Sequence, residues 1–152
     1  MEPTIRPIAV GSALYQQELA IRDQVLRRPI GRSIRDDDLS GEDQYDHFGI
    51  FDGETLLGVL YRKPLGDHVA QIKQVAILEA HRKAGLGTRL FAFLLEDSRK
   101  QGYEKLVLDA RADAAGFYQK MGFQKTGETK IIFRLPHFRM ERSLTKEPAA
   151  SR

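Results

Sequence analysis

A chain of 152 residues, 41% hydrophobic and 30% charged, is long enough to bury a core of its own and reads as a single domain over residues 1–144, with a small polar tail at 145–152 expected to be disordered. The absence of cysteine excludes disulfides, thiolate metal sites and a cysteine acyl-enzyme, and no apolar run approaches the roughly 20 residues of a membrane span. The formal net charge of +3, from 24 basic and 21 acidic residues spread along the chain, permits an anionic ligand without the basic stripe of a nucleic-acid binder; lacking a leader-like start, the chain reads as cytoplasmic.

In chain order, "TIRPIAV" alternates as a first strand, and Ser12 caps a helix carrying Leu14, Leu19, Val25 and Leu26 at near-helical spacing. "RRPIGRSIRDDDLSGEDQYD", with Pro29, Gly31, Gly41 and three consecutive aspartates, reads as a long loop with at most a short helical turn. Asp52-Gly53 between two apolar segments predicts a hairpin, a further turn falls at "PLGD", and "HVAQIKQVAIL" is the third strand of the meander. A helix with a broad apolar side follows from Gly85 to Gly102, marked by Leu86, Leu90, Phe93 and Leu94. "EKLVLDA" is a central strand, "DAAGFYQKM" a short helix stopped by Gly122, and "FQKTGE" and "TKIIFRLPHFRMERSL" give two last strands. The fold class is therefore α/β with a mixed sheet, in the order β-α-β-β-β-α-β-α-β-β.

In "RKAGLGTRL" two glycines stand where a strand hands over to a helix, among Arg82, Lys83 and Arg89. Backbone N–H groups at such a start favour phosphate, although a glycine before an apolar helix serves equally as turn chemistry. A dinucleotide-binding unit competes, since Asp109 lies about 20 residues on, but Leu90 stands where its third glycine belongs. No phosphate-binding P-loop and no serine nucleophile elbow occurs. His47 and Asp52 share a spacing with some acyltransferases but would face opposite sides of a strand. The four histidines show no metal-ligand spacing and read as surface or supporting residues, so no metal site is expected.

"HRKAGLGTRL" matches the [RQ]-x-x-G-x-[GA] motif of the GNAT superfamily of acetyl-CoA-dependent N-acetyltransferases through Arg82, Gly85 and Gly87, and "FYQKMGF" resembles its later Tyr…Gly-Phe signature through Tyr118, Gly122 and Phe123. The closing "LPHFRM" is similar to that of ElaA-like members. The resemblance implies a GNAT-like fold with splayed central strands and acetyl-CoA as co-substrate. It implies pyrophosphate contacts along Arg82, Lys83, Ala84, Gly85, Leu86, Gly87 and Thr88, and pantetheine pairing along Val75 to Ile77. Tyr118 becomes the candidate general acid toward the departing thiolate, and Phe117 is assigned to the core. Arg111 stands where members often carry an asparagine near the pantetheine arm, and Gln71, Lys73 and Gln74 replace a frequent strand carboxylate, so the base is unassigned between water, His137 and Glu128.

The function implied is acetyl transfer to an amine whose pocket involves the 27–46 loop and the last two strands. Asp36, Asp37 and Asp38 either attract a cationic amine or are simply solvated. A non-catalytic acyl-CoA sensor or assembly module of the same fold remains the alternative, and a homodimer is compatible with either.

Overall fold

The computed structural model describes residues 2–145, so all but the first residue of the proposed tail lies outside the described residues. Seven strands and three α-helices follow the expected order: β1 (Thr4–Ile8), α1 (Ala13–Arg22), β2 (Asp46–Asp52), β3 (Thr55–Gly66), β4 (Val69–Ile77), α2 (Leu86–Lys100), β5 (Lys105–Arg111), α3 (Ala115–Lys120), β6 (Gln124–Ile132) and β7 (Leu135–Ser143). The strands form one mixed sheet, β1-β2-β3-β4-β5-β7-β6. The chain divides into two compact units, one of Met1–Lys63 with Ile72–Phe93, the other of Pro64–Gln71 with Leu94–Arg152.

In the first unit β1 and β3 both pair antiparallel with β2, from Ile8 opposite His47 and from Asp46 opposite Arg62. The predicted hairpin closes with Asp52 opposite Thr55, and Gly53 takes the left-handed conformation the turn needs (φ 59°). Ile8, Tyr15, Ile21, Phe51, Leu56, Val59 and Ala76 form the core, with Leu14, Leu19, Val25 and Leu26 packed on it as their spacing predicts. Gly58 permits a close approach of β3 to the end of β4: a Cβ there would strike the Ile77 side chain and stand 3.2 Å from the Ala76 carbonyl.

The same core encloses charge. Arg22 is 1% exposed; its guanidinium donates to Glu18 at 3.0 Å and grips both carboxylate oxygens of Glu42 at 2.8 Å each. Tyr15 donates its hydroxyl to Glu42 at 2.8 Å. His47, read from sequence as a surface or supporting residue, is buried, with Nδ1 2.8 Å from Glu18 Oε2 and Nε2 2.9 Å from the Glu42 carbonyl. The Glu42 carbonyl can only accept, so Nε2 carries a proton, and a Glu18 carboxylate at Nδ1 favours the imidazolium. Burial alone would lower the His47 pKa, but the Glu18 hydrogen bond and charge outweigh it and raise it above its usual 6.5. Burial likewise opposes ionisation of Glu42, and the Arg22 fork overrides it, holding this carboxyl below the usual range.

Glu42 lies in a short 3₁₀ turn, Glu42–Gln44, within the predicted long loop, which carries three such turns rather than one. After Arg22 the helix widens into a π turn over Asp23–Arg27, where the sequence pattern predicts continuous α-helix. Arg27 is held there by a fork to Asp37, Nη2 to Oδ2 at 2.8 Å and Nε to Oδ1 at 3.0 Å. Buried arginines thus pin the loop at two points.

In the second unit β5 pairs antiparallel with β7 from Lys105 opposite Ser143 to Arg111 opposite His137. It pairs parallel with β4 through Val69–Lys105, Ala70–Leu106 and Gln71–Val107. Two turns differ from the sequence reading. β3 continues through Pro64 to Gly66, and the reversal falls on Asp67 and His68, both left-handed (φ 56° and 64°). β6 does not break at Glu128: it runs to Ile132 with an irregularity between Lys125 and Thr129, where Gly127 has φ 100°, and the chain reverses at Phe133 and Arg134 (φ 51° and 66°). Gly66, with φ 90°, stands just before the first reversal and marks it to within a residue, whereas no glycine marks the second.

Arg22→Met should lower unfolding stability by about 3–5 kcal/mol in urea titrations, because it strands two buried carboxylates. His47 titration adds a pH signature. Its folded pKa is raised, so its stabilisation is complete below pH 6.5 and is lost as pH climbs through the folded value. Urea midpoints of wild type should fall over that window relative to His47→Gln, and parallel profiles would refute the imidazolium assignment.

Candidate functional site

The segment expected to meet a pyrophosphate lies within the first unit. β4 ends at Ile77, the Leu78 N–H donates to the Leu57 carbonyl at 2.9 Å, and the chain enters a 3₁₀ turn over Glu79–Ala84 that the sequence reading did not include. Gly85 ends that turn with φ 75°, and nothing lies within 4 Å of a Cβ built on it, so glycine serves backbone conformation there. The Arg89 N–H then closes on the Gly85 carbonyl at 3.1 Å. The N–H groups of Leu86, Gly87 and Thr88 precede this bond, at the helix end that carries positive partial charge.

Burial sorts the motif residues by role. Leu86 and Leu90 are fully buried and anchor the helix start, whereas Arg82, Ala84, Gly85, Thr88 and Arg89 are exposed. Arg82 is tied back to the strand end, its Nε donating to the Ile77 carbonyl at 3.3 Å. Lys83 belongs to the same turn. Val75 and Ile77 are half-buried at the end of β4. Between them and the β5-paired start of the strand stands Gln74, whose φ of 57° is left-handed in the middle of a β-strand. For a non-glycine residue this costs about 1–3 kcal/mol and persists only where the surroundings enforce it.

The remaining candidates belong to the second unit. Tyr118, in the six-residue α3, is half-buried; its ring meets Phe117 edge-on at 5.2 Å and Phe123 at 6.2 Å. Burial pushes its phenol up to about 12. Phe123 is the core member of this trio, and Phe117, assigned to the core from sequence, is half-buried. Arg111 is exposed and pairs with Asp113 at 3.1 Å. Asp109, weighed above as a ribose acid, is bound by Lys130 and Arg139, each at 3.2 Å. His137 has Nδ1 2.9 Å from the Leu135 carbonyl, and Glu128 is exposed.

Two groups escaped the sequence reading. One is Gln74, because glutamine gives no composition signal for a left-handed site. The other is the buried Glu18-Arg22-Glu42-His47 set. Its helical half was detectable, since Tyr15, Glu18 and Arg22 share one face of α1 by their spacing. Ligand atoms of Glu18, Glu42 and His47 lie within 4.8 Å of one another. Arg22 donates to both carboxylates there. Of the three aspartates, Asp37 is claimed by Arg27 and Asp38 by Ser40, whose hydroxyl donates at 2.6 Å; Asp36 is exposed.

The family model for the acetyltransferase (GNAT) family matches residues 13–123, a stretch containing both the glycine motif and Tyr118. The chain belongs to this family. Solved GNAT relatives share its fold throughout: the ribosomal-protein-S18-alanine N-acetyltransferase of Escherichia coli superposes with a TM-score of 0.79 at 16% identity, covering 97% of each chain. PaiA N-acetyltransferase of Thermoplasma acidophilum, solved in complex with coenzyme A, gives 0.74 at 18% identity over 94% of this chain and 99% of its own. N-acetyltransferase family 8 member 3 of Mus musculus is 36% identical over 85 residues, 51% of this chain and 37% of its own length. The GNAT fold accounts for the order of elements, and membership makes the chain an acyltransferase. No helix among the described residues is long and apolar enough to cross a membrane.

Gly85→Ala should destabilise the folded protein by about 1–2 kcal/mol, the cost of a left-handed L-residue, since no steric clash adds to it. Thermal or urea unfolding measures this directly, and an unchanged midpoint would contradict the observed φ.

Proposed function

We propose that this GNAT member moves an acetyl group from acetyl-CoA to a primary amine by direct attack of the amine on the thioester. The observation carrying the reading is the start of α2: an unobstructed left-handed Gly85, with the exposed Arg82 before it and the exposed Arg89 in the first turn. Arg82 to Thr88 would receive the pyrophosphate, and Val75 to Ile77 would offer backbone to the amide-bearing pantetheine arm as an added strand does. The coenzyme A complex of the Thermoplasma relative supports the choice of cofactor.

In this reaction the amine nitrogen forms a bond to the carbonyl carbon, the carbon–sulfur bond breaks, and the thiolate takes a proton. Tyr118 is the proposed donor. A phenol near 12 remains protonated at every working pH and is a weak acid toward a thiolate of reference pKa about 8.5, so its transfer is useful only as charge appears on sulfur. The amine must shed its own proton before attack, and water is the proposed recipient. His137 donates its Nδ1–H to the Leu135 carbonyl, which leaves Nε2 as the accepting nitrogen, and Glu128 stands in solvent. Arg111 would approach the pantetheine arm only by leaving Asp113.

Gly87→Glu should weaken coenzyme A binding at least ~10-fold by placing bulk and negative charge at the helix start; calorimetry showing wild-type affinity in the folded variant would sink the assignment. Tyr118→Phe keeps the ring packing and should reduce kcat ~10²–10⁴-fold with coenzyme A affinity nearly intact. Because the phenol titrates near 12, no basic limb attributable to Tyr118 should appear in the wild-type kcat profile up to about pH 10. A loss confined to KM would make Tyr118 a binding residue only.

A further inference from the structure

Gln74 is held in an unfavourable conformation by something, and the neighbouring contacts identify it. Arg27 Nη2 donates to Gln74 Oε1 at 3.3 Å, across 47 residues of sequence. A guanidinium only donates, so Gln74 presents its oxygen. The donor is itself immobilised by the two-pronged fork to Asp37 and by Nη1 on the Leu26 carbonyl at 3.2 Å. It is a fixed post rather than a mobile surface arginine.

The π turn explains how Arg27 reaches this place. At about 100° per residue, positions 22 and 27 would lie about 140° apart around an ordinary α-helix. In the Asp23–Arg27 π turn, closed by the Arg28 N–H on the Asp23 carbonyl, five residues make nearly one turn. Arg27 is thereby carried back toward the side of Arg22, facing the loop and β4 instead of solvent. A helix distortion, a buried fork and a strained strand residue thus converge on one contact.

We propose that Arg27 is a positioning residue of the acyl-CoA site: by holding the Gln74 side chain it keeps the β4 backbone left-handed there, and so sets the direction in which Val75, Ala76 and Ile77 present their backbone groups to the pantetheine arm. This rests on the proposed reading of Val75 to Ile77 as the segment that meets that arm. Arg27 touches no reacting atom. The contact proposed to carry its effect is the one with the Gln74 side chain, and a glycine at position 74 can adopt the same angle without help.

The test is calorimetric binding of coenzyme A to the full chain, with steady-state kinetics once an acceptor amine is in hand. Arg27→Gln should bind coenzyme A ~10-fold more weakly and raise the KM for acetyl-CoA in proportion, leaving the acceptor KM unchanged. Adding Gln74→Gly to Arg27→Gln should restore affinity to within ~3-fold of wild type. Should Arg27→Gln fail to fold, Gln74→Ala, which leaves the Arg27–Asp37 fork intact, should show the same ~10-fold weakening. Either variant binding as wild type while folded overturns the proposal. Weakening of Arg27→Gln that glycine at 74 does not rescue also overturns it, because Arg27 would then act by another route. Absence of coenzyme A binding by wild type is the separate outcome that removes the cofactor reading itself and this inference with it.

Discussion

The two-pronged grip of Arg22 on Glu42 is the interaction on which the first unit depends. Two basic side chains, Arg22 and His47, stand against two acidic ones, Glu18 and Glu42, in one buried set that can be neutral overall. Neutrality alone would not make burial tolerable. Each carboxylate also receives several hydrogen bonds, including the Tyr15 hydroxyl on Glu42 and the His47 ring on Glu18. What is gained is specificity of placement: the set joins α1, β2 and the 3₁₀ turn at Glu42, three segments that an apolar core would let slide.

That placement reaches the functional end of the unit through the loop. Glu42 fixes its far end and Asp37 its middle, and the arginines responsible come from one helix and its π turn. The loop read from sequence as irregular is therefore short helical turns held by buried charge. The same arginine that secures Asp37 touches Gln74 on β4, so loop and strand share an anchor.

Much of this was legible in the sequence because it rests on local rules. Ser12 caps α1 by accepting from the Tyr15 N–H at 3.2 Å, Asp52-Gly53 makes its hairpin, and Gly85 and Gly102 bracket α2 with left-handed backbones. The glycine motif told where a helix would present free N–H groups. What was not legible depends on partners distant in sequence. His47 looks like any strand histidine until Glu18, 29 residues away, is placed beside it. Phe133-Arg134 turns left-handed without a glycine, because the pairing of Ile132 with Leu135 leaves two residues in which to reverse. A phenylalanine and an arginine at such positions carry no turn signal of their own.

β6 closes the strand order at one end, and Gln124 through Ile131 are all exposed, with Ile131 at 72%. A strand this accessible offers a free row of backbone groups on which another chain could stack. Two features already described oppose that. Lysines stand along the strand at 125 and 130, the second of them paired with Asp109, and the left-handed Gly127 breaks the straight run of donors and acceptors. The irregularity that displaced the strand boundary from its expected position is thus also a guard against aggregation.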